Sequence, residues 1–193
     1  MTIKYFSQAW RDLAHVPRWV ILRKNRTQSL AEHSYYVSVY SLHIAQIIGW
    51  RGSYGNLMEY ALYHDIDETV SGDIPGPYKR VAVNKQHGKD AARLVLSDRF
   101  GEAAVGIVDS VDPEIKDIVS VADTIDELCY LIEEARSGNT WIKTVITEVR
   151  ARLKRRWMTL PAVERVLKST WLDVEELTWD SQFADPALLK DPT

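Results

Sequence analysis

The chain carries two strong helix-start signals, each followed by a long stretch of helical periodicity that ends near a glycine, and this leaves little room for a sheet. Ser29-Leu30-Ala31-Glu32 is a capping box, in which a serine hydroxyl and a glutamate carboxylate reciprocally satisfy free amides of the first turn. The helix it opens is predicted to run to about Ile48 and to stop at the Gly49 to Gly55 loop. Asp112-Pro113 sets a capping carboxylate before a proline at the first helical position, predicting a helix to about Ser137 with Gly138-Asn139 as its stop. Along it Ile115, Ile118, Val119, Ala122, Ile125 and Cys129 keep the spacing of a core-facing stripe. Other periodic segments predict helices over about Tyr5 to Leu13, Leu57 to Val70, Lys89 to Phe100 and Trp141 to Lys168. No alternating or β-branched run is flanked by hairpin turns. The fold is read as all-α, a single compact helical bundle over residues 1–193, with the helices from about 141 completing it.

Composition narrows the classes of function. A chain of 193 residues can bury a real core in one domain. A net charge of -3 argues against general capture of nucleic acid. No charge-free apolar stretch approaches the ~20 residues a spanning helix needs. The N-terminus has no cleavable apolar core, so a cytoplasmic location is expected. The basic run Arg150, Arg152, Lys154, Arg155 and Arg156 reads as a solvated helix face, because Glu148 and Glu164 flank it. Trp141, Trp157, Trp171 and Trp179 read as core packing.

The residues that carry chemistry stand in the order His33, His64-Asp65, Asp123. His33 falls in the first turn after the capping box, and His64 and Asp65 fall on the Leu57 to Val70 helix. Asp123 lies at the edge of an apolar stripe, where a carboxylate is costly unless something pairs with it. Neutral imidazoles and carboxylates suit a divalent ion, and four ligands leave positions open for water and substrate. Glu68 stands four residues after His64, on the same helix face one turn further along, where it can act as a base for water. Asp67 is the competing candidate. Asp73 sits in a loop broken by Gly72, Pro75, Gly76 and Pro77.

This pattern resembles the HD-domain metal-dependent phosphohydrolases, all-helical enzymes that cleave phosphoesters. Arg18-Trp19, Arg26-Thr27, Glu32-His33-Ser34, Tyr63-His64-Asp65, Glu68, Gly72-Asp73-Ile74-Pro75, Pro77, Lys79, Ala122-Asp123 and Glu133-Glu134 before Gly138-Asn139 extend it. Together they are similar to the YfbR-like 5'-deoxynucleotidase branch. The resemblance implies His33, His64, Asp65 and Asp123 as ligands of one divalent ion (Co, Mn, Zn, Ni, Fe or Mg) and Glu68 as the group that assists water. It implies Arg18, Trp19 and Asp73 as contacts to a deoxynucleotide, Arg18 through a guanidinium fork suited to phosphate. Lys79 is a further phosphate candidate. The implied reaction converts a deoxynucleoside 5'-monophosphate to deoxynucleoside and phosphate. A deoxynucleoside triphosphate triphosphohydrolase is the alternative, and a silent nucleotide sensor the third reading. The resemblance also implies a homodimer or higher homo-oligomer, without a stable nucleic-acid or membrane partner.

Overall fold

The computed structural model describes residues 10–76, positions 90, 94, 95, 97 and 98, and residues 111–159 apart from the side chains of 154 and 156–159. Among the described residues there are helices, one isolated bridge and no strand. The helices are α1 (Leu30–Ile48), α2 (Tyr54–Tyr63), α3 (Glu68–Ser71), α4 (Pro113–Arg136) and α5 (Lys143–Thr159). No helix among the described residues is long and apolar enough to cross a membrane.

The two start signals act as the sequence predicts. Ser29 Oγ accepts from the Glu32 amide at 3.2 Å, and the Asp112 carboxylate accepts from the Glu114 amide at 2.8 Å. The return arm of the capping box is redirected, because the Glu32 carboxylate pairs with Arg26. Gly49 closes α1 at φ 67°, a left-handed conformation that favours glycine. Helix α1 packs against α2 and α4, and α4 also packs against α5. Val37, Ile44, Leu57, Ile118, Ile125, Leu131 and Ile142 fill the space between them. Each such side chain stabilises the bundle by roughly 1.5–3 kcal/mol relative to exposure.

The predicted continuous helix from Leu57 to Val70 is two helices. The chain enters α2 earlier, at Tyr54, and leaves it at Tyr63. From there the amides of Ile66, Glu68, Thr69 and Val70 bond the carbonyls three residues back, on Tyr63, Asp65, Ile66 and Asp67. Thr69 Oγ1 also donates to the Ile66 carbonyl, a local bond of the kind that competes with a regular ladder. This three-residue winding turns each position further round than an α-helix does, so His64 and Glu68 are not stacked one turn apart on one face.

Other expectations divide. The helices predicted at Tyr5 to Leu13 and Lys89 to Phe100 lie largely outside the described residues, although Trp10 to Asp12 is helical and leads into a 3-10 turn at Leu13–His15. Trp141 is not in the core; it is 69% exposed, with the Arg23 guanidinium 4.5 Å above its ring. Trp171, Trp179 and the Trp157 side chain lie outside the described residues.

The segment before α1 is irregular but held. Pro17 and Ser29 form an antiparallel bridge, with Arg18 N donating to Gln28 O and Leu30 N to Val16 O, both at 2.9 Å. Between those ends the loop lies on the C-terminal part of α4. Glu134, 2% exposed, accepts from the Asn25 and Arg26 amides at 2.7 and 2.8 Å and from Asn139 Nδ2 at 2.8 Å. Three donors outweigh burial and hold its pKa below the usual glutamate value.

Candidate metal centre

The neck formed by Pro17 and Ser29 puts Arg18 beside the first turn of α1, and α4 crosses behind it. His33 comes from that first turn, His64 and Asp65 from the overwound turn after α2, and Asp123 from α4. One donor atom each from His33, His64 and Asp123 lie within 4.8 Å of one another. His33 Nε2 is 3.4 Å from Asp123 Oδ1 and 3.5 Å from Asp65 Oδ2, while His64 Nε2 is 3.2 Å from the same Asp65 oxygen.

The opposite ring nitrogens decide what these atoms can do. His33 Nδ1 is 2.6 Å from buried Asp126 Oδ2, and Gln28 Nε2 donates to that oxygen at 2.9 Å. His64 Nδ1 donates to the Ala61 carbonyl at 2.9 Å. An acceptor at Nδ1 keeps the proton there, so the Nε2 lone pair of each ring turns toward Asp65 and Asp123. Both Nε2 atoms are buried and make no hydrogen bond within the chain. Two inward lone pairs beside two carboxylates fit a divalent cation.

Charge within the cluster is correspondingly tense. Burial and Arg18 both disfavour a charged His33, yet Asp123, Asp126 and Asp65 outweigh them and push its pKa up to about 10. His64 is raised as well, burial being overcome chiefly by Asp65. Burial would raise Asp123, but His33 and then Arg18 and His64 bring it down to about 2; Asp65 is depressed for similar reasons. Without an ion, a proton on imidazole supplies the positive charge that the carboxylates require.

The other expected residues meet in one cleft of about 640 Å³. Glu68, the first residue of α3, is 3% exposed and lines it with Asp65 and Asp123. Arg18 is 8% exposed, 3.3 Å from Asp65 and 4.0 Å from Asp123. Burial opposes its charge, but Asp123, Asp65, Glu68 and Asp73 hold it on. The Trp19 amide donates to Asp73 at 2.7 Å, tying the two loops of the cleft together. Trp19 has φ 59°, a left-handed conformation that costs a non-glycine residue roughly 1–2 kcal/mol. That amide bond and a parallel stack on Tyr130, 5.7 Å between centroids, hold the ring over the cleft. Lys79 lies outside the described residues.

Four residues outside the sequence-level set contribute. Asp126 and Gln28 buttress His33; Asp126 stands three residues after Asp123, a helical spacing that placed it in reach. Glu127, one turn beyond Asp123 on α4, and Arg152 on α5 form an ion pair in the cleft wall. The basic run is therefore not simply a solvated face, since Arg152 and Arg155 both line the cleft. Helix α5 sets Arg152 half-buried against Glu127 and leaves Arg155 exposed at the cleft edge, which the charge pattern alone did not reveal.

The family model described as 5'-deoxynucleotidase YfbR-like matches residues 5–172. A 5'-deoxynucleotidase of Shewanella oneidensis is 30% identical over 159 residues, covering 72% of this chain and 78% of that relative. Among solved structures, an HD-domain phosphohydrolase from Listeria innocua aligns with a TM-score of 0.75 at 23% identity, over 94% of this chain and 92% of that one. A cyanophage S-2L HD phosphohydrolase bound to dA and one catalytic Zn2+ ion aligns with a TM-score of 0.69 at 18% identity, over 88% and 96% of the two chains. At these identities the solved structures speak for the fold.

Proposed function

The chain belongs to the YfbR-like 5'-deoxynucleotidase family, and on that premise we propose that it hydrolyses deoxynucleoside 5'-monophosphates to deoxynucleoside and phosphate. The observation that carries this reading is the pair of buried imidazole Nε2 lone pairs turned toward Asp65 and Asp123, beside a buried arginine in an open cleft. His33, His64, Asp65 and Asp123 would hold one divalent ion. Two imidazoles favour a first-row transition ion over magnesium, which prefers oxygen ligands. Such an ion supplies Lewis acidity to a phosphate oxygen and acidifies water.

The chain's own groups perform the rest. Glu68, buried in the cleft wall, takes the proton of the attacking water and orients it toward phosphorus. Arg18 faces the phosphate with a guanidinium whose charge the surrounding carboxylates fix. Trp19 and Asp73, joined through the Trp19 amide, form a rigid wall at the sugar, so that a 2'-hydroxyl meets a surface with no room to shift. Triphosphohydrolase chemistry is not favoured, because the family match and the named relative point to monophosphates.

The deciding experiment incubates metal-loaded protein with dNMPs, dNTPs and ribonucleotides and identifies products. Free phosphate from dAMP without tripolyphosphate from dATP is expected. The reverse pattern would overturn the reading.

A further inference from the structure

We infer that the Glu127–Arg152 ion pair limits the phosphate chain this cleft accepts to a single phosphate, an inference that rests on the deoxynucleotidase reading above. Moving outward from the centre, the charges alternate. Arg18 Nη2 is 4.0 Å from Asp123 Oδ1 on one side and 3.9 Å from Glu127 Oε1 on the other. Glu127 in turn gives its second oxygen to Arg152. The two side chains are only 15% and 36% exposed, and both line the cleft.

A phosphate at the centre and Arg18 is neutralised there. A second phosphate carried past Arg18 arrives where Glu127 already stands, and the next cation, Arg152, is already occupied by that carboxylate. An anion in a partly desolvated wall repels another anion strongly, so the pair discriminates by charge without contacting the monophosphate. Glu148 and Arg155 line the cleft as well, with opposite charges, so it is Glu127 beside Arg18 that sets the local sign. Glu127 is thus a specificity-determining residue, and Arg152 sets how much of its charge the cleft feels.

Opposite effects from the two halves of one ion pair provide the test. Metal-loaded wild type, E127Q and R152Q are assayed for dAMP hydrolysis, with dADP and dATP as competitors, and the ratio of each Ki to the KM for dAMP is compared. E127Q keeps the shape of the side chain and removes the repelling charge, so this ratio should fall by about tenfold. R152Q leaves Glu127 less neutralised, so the ratio should rise. A purely structural ion pair would move both variants in the same direction, and that outcome, or an unchanged ratio in E127Q, would overturn the inference. Absence of dAMP hydrolysis by the wild type is a separate result that removes the deoxynucleotidase reading itself.

Discussion

Two kinds of backbone build this centre, and they are held in different ways. His33 and Asp123 sit on long regular helices, α1 and α4, whose apolar faces bury Val37, Ile44, Ile118 and Ile125. Their positions follow from core packing. His64, Asp65, Glu68, Arg18 and Trp19 instead sit on an overwound turn and a loop, anchored by Ile66 and Trp19 and held by hydrogen bonds to carbonyls, to the buried carboxylate of Glu134 and to the half-buried carboxylate of Asp73. Core packing places His33 and Asp123, whereas hydrogen bonding places His64 and Asp65 beside them, together with Glu68 and Arg18. Damage to the first kind should cost stability as well as metal, and damage to the second should fall mainly on metal binding or turnover.

The largest effect expected on the hydrogen-bonded side is at Glu68. E68Q should lower kcat by roughly 10²–10⁴-fold while metal content, read by elemental analysis, stays at one ion per chain. Unchanged turnover would remove the base from the scheme. On the helical side, D126N keeps the shape but not the charge that holds His33 Nδ1, and should weaken metal affinity by about 10–100-fold in chelator competition. Wild-type affinity there would show that packing alone orients the ring. The same measurement across pH carries a sign: His33 must lose a proton from a pKa of about 10 to accept the ion, so metal binds more tightly as pH rises toward 10. A flat profile would contradict the charge state assigned to the metal-free cluster.

Smaller effects separate the loop from the bundle. Glu134 has its folded pKa below the ordinary 4.5, so its contribution is present above that value and is lost as pH falls through the depressed one. E134Q should destabilise by about 1–3 kcal/mol near neutrality and flatten the acid side of the stability profile in urea melts. S29A, by contrast, removes a helix cap and should cost about 1 kcal/mol, with KM unaffected. A large KM change in S29A would mean that the helix start and the substrate loop are not separable.

What could be read from the sequence follows the same division. Both helix caps, the extents of α1 and α4 and the buried positions of Ile115 to Ile125 were legible, because capping chemistry and periodicity are local signals. The four residues proposed as ligands were legible as a group through their order along the chain, and His33, His64 and Asp123 do offer donor atoms within 4.8 Å of one another. The break after Tyr63 was not, since four three-residue closures between Ile66 and Val70 leave no mark on apolar spacing. Asp126, Glu127 and Arg152 were missed for a different reason: each acts through a partner distant in sequence, so its role appears only once α1, α4 and α5 are packed. Trp141 was misjudged because a tryptophan can satisfy its ring against an arginine at the surface as well as in a core.

The bridge between Pro17 and Ser29 separates two design problems. Its two bonds close the base of the loop, and Lys24 donates back to the Arg18 carbonyl, while at the tip Val20 and Ile21 stand half to two-thirds exposed in the cleft wall. Lengthening a loop whose base is already closed costs little, about 0.6 kcal/mol for a doubling. The tip is therefore the place where insertions and exchanges should be tolerated with the least effect on the helical bundle.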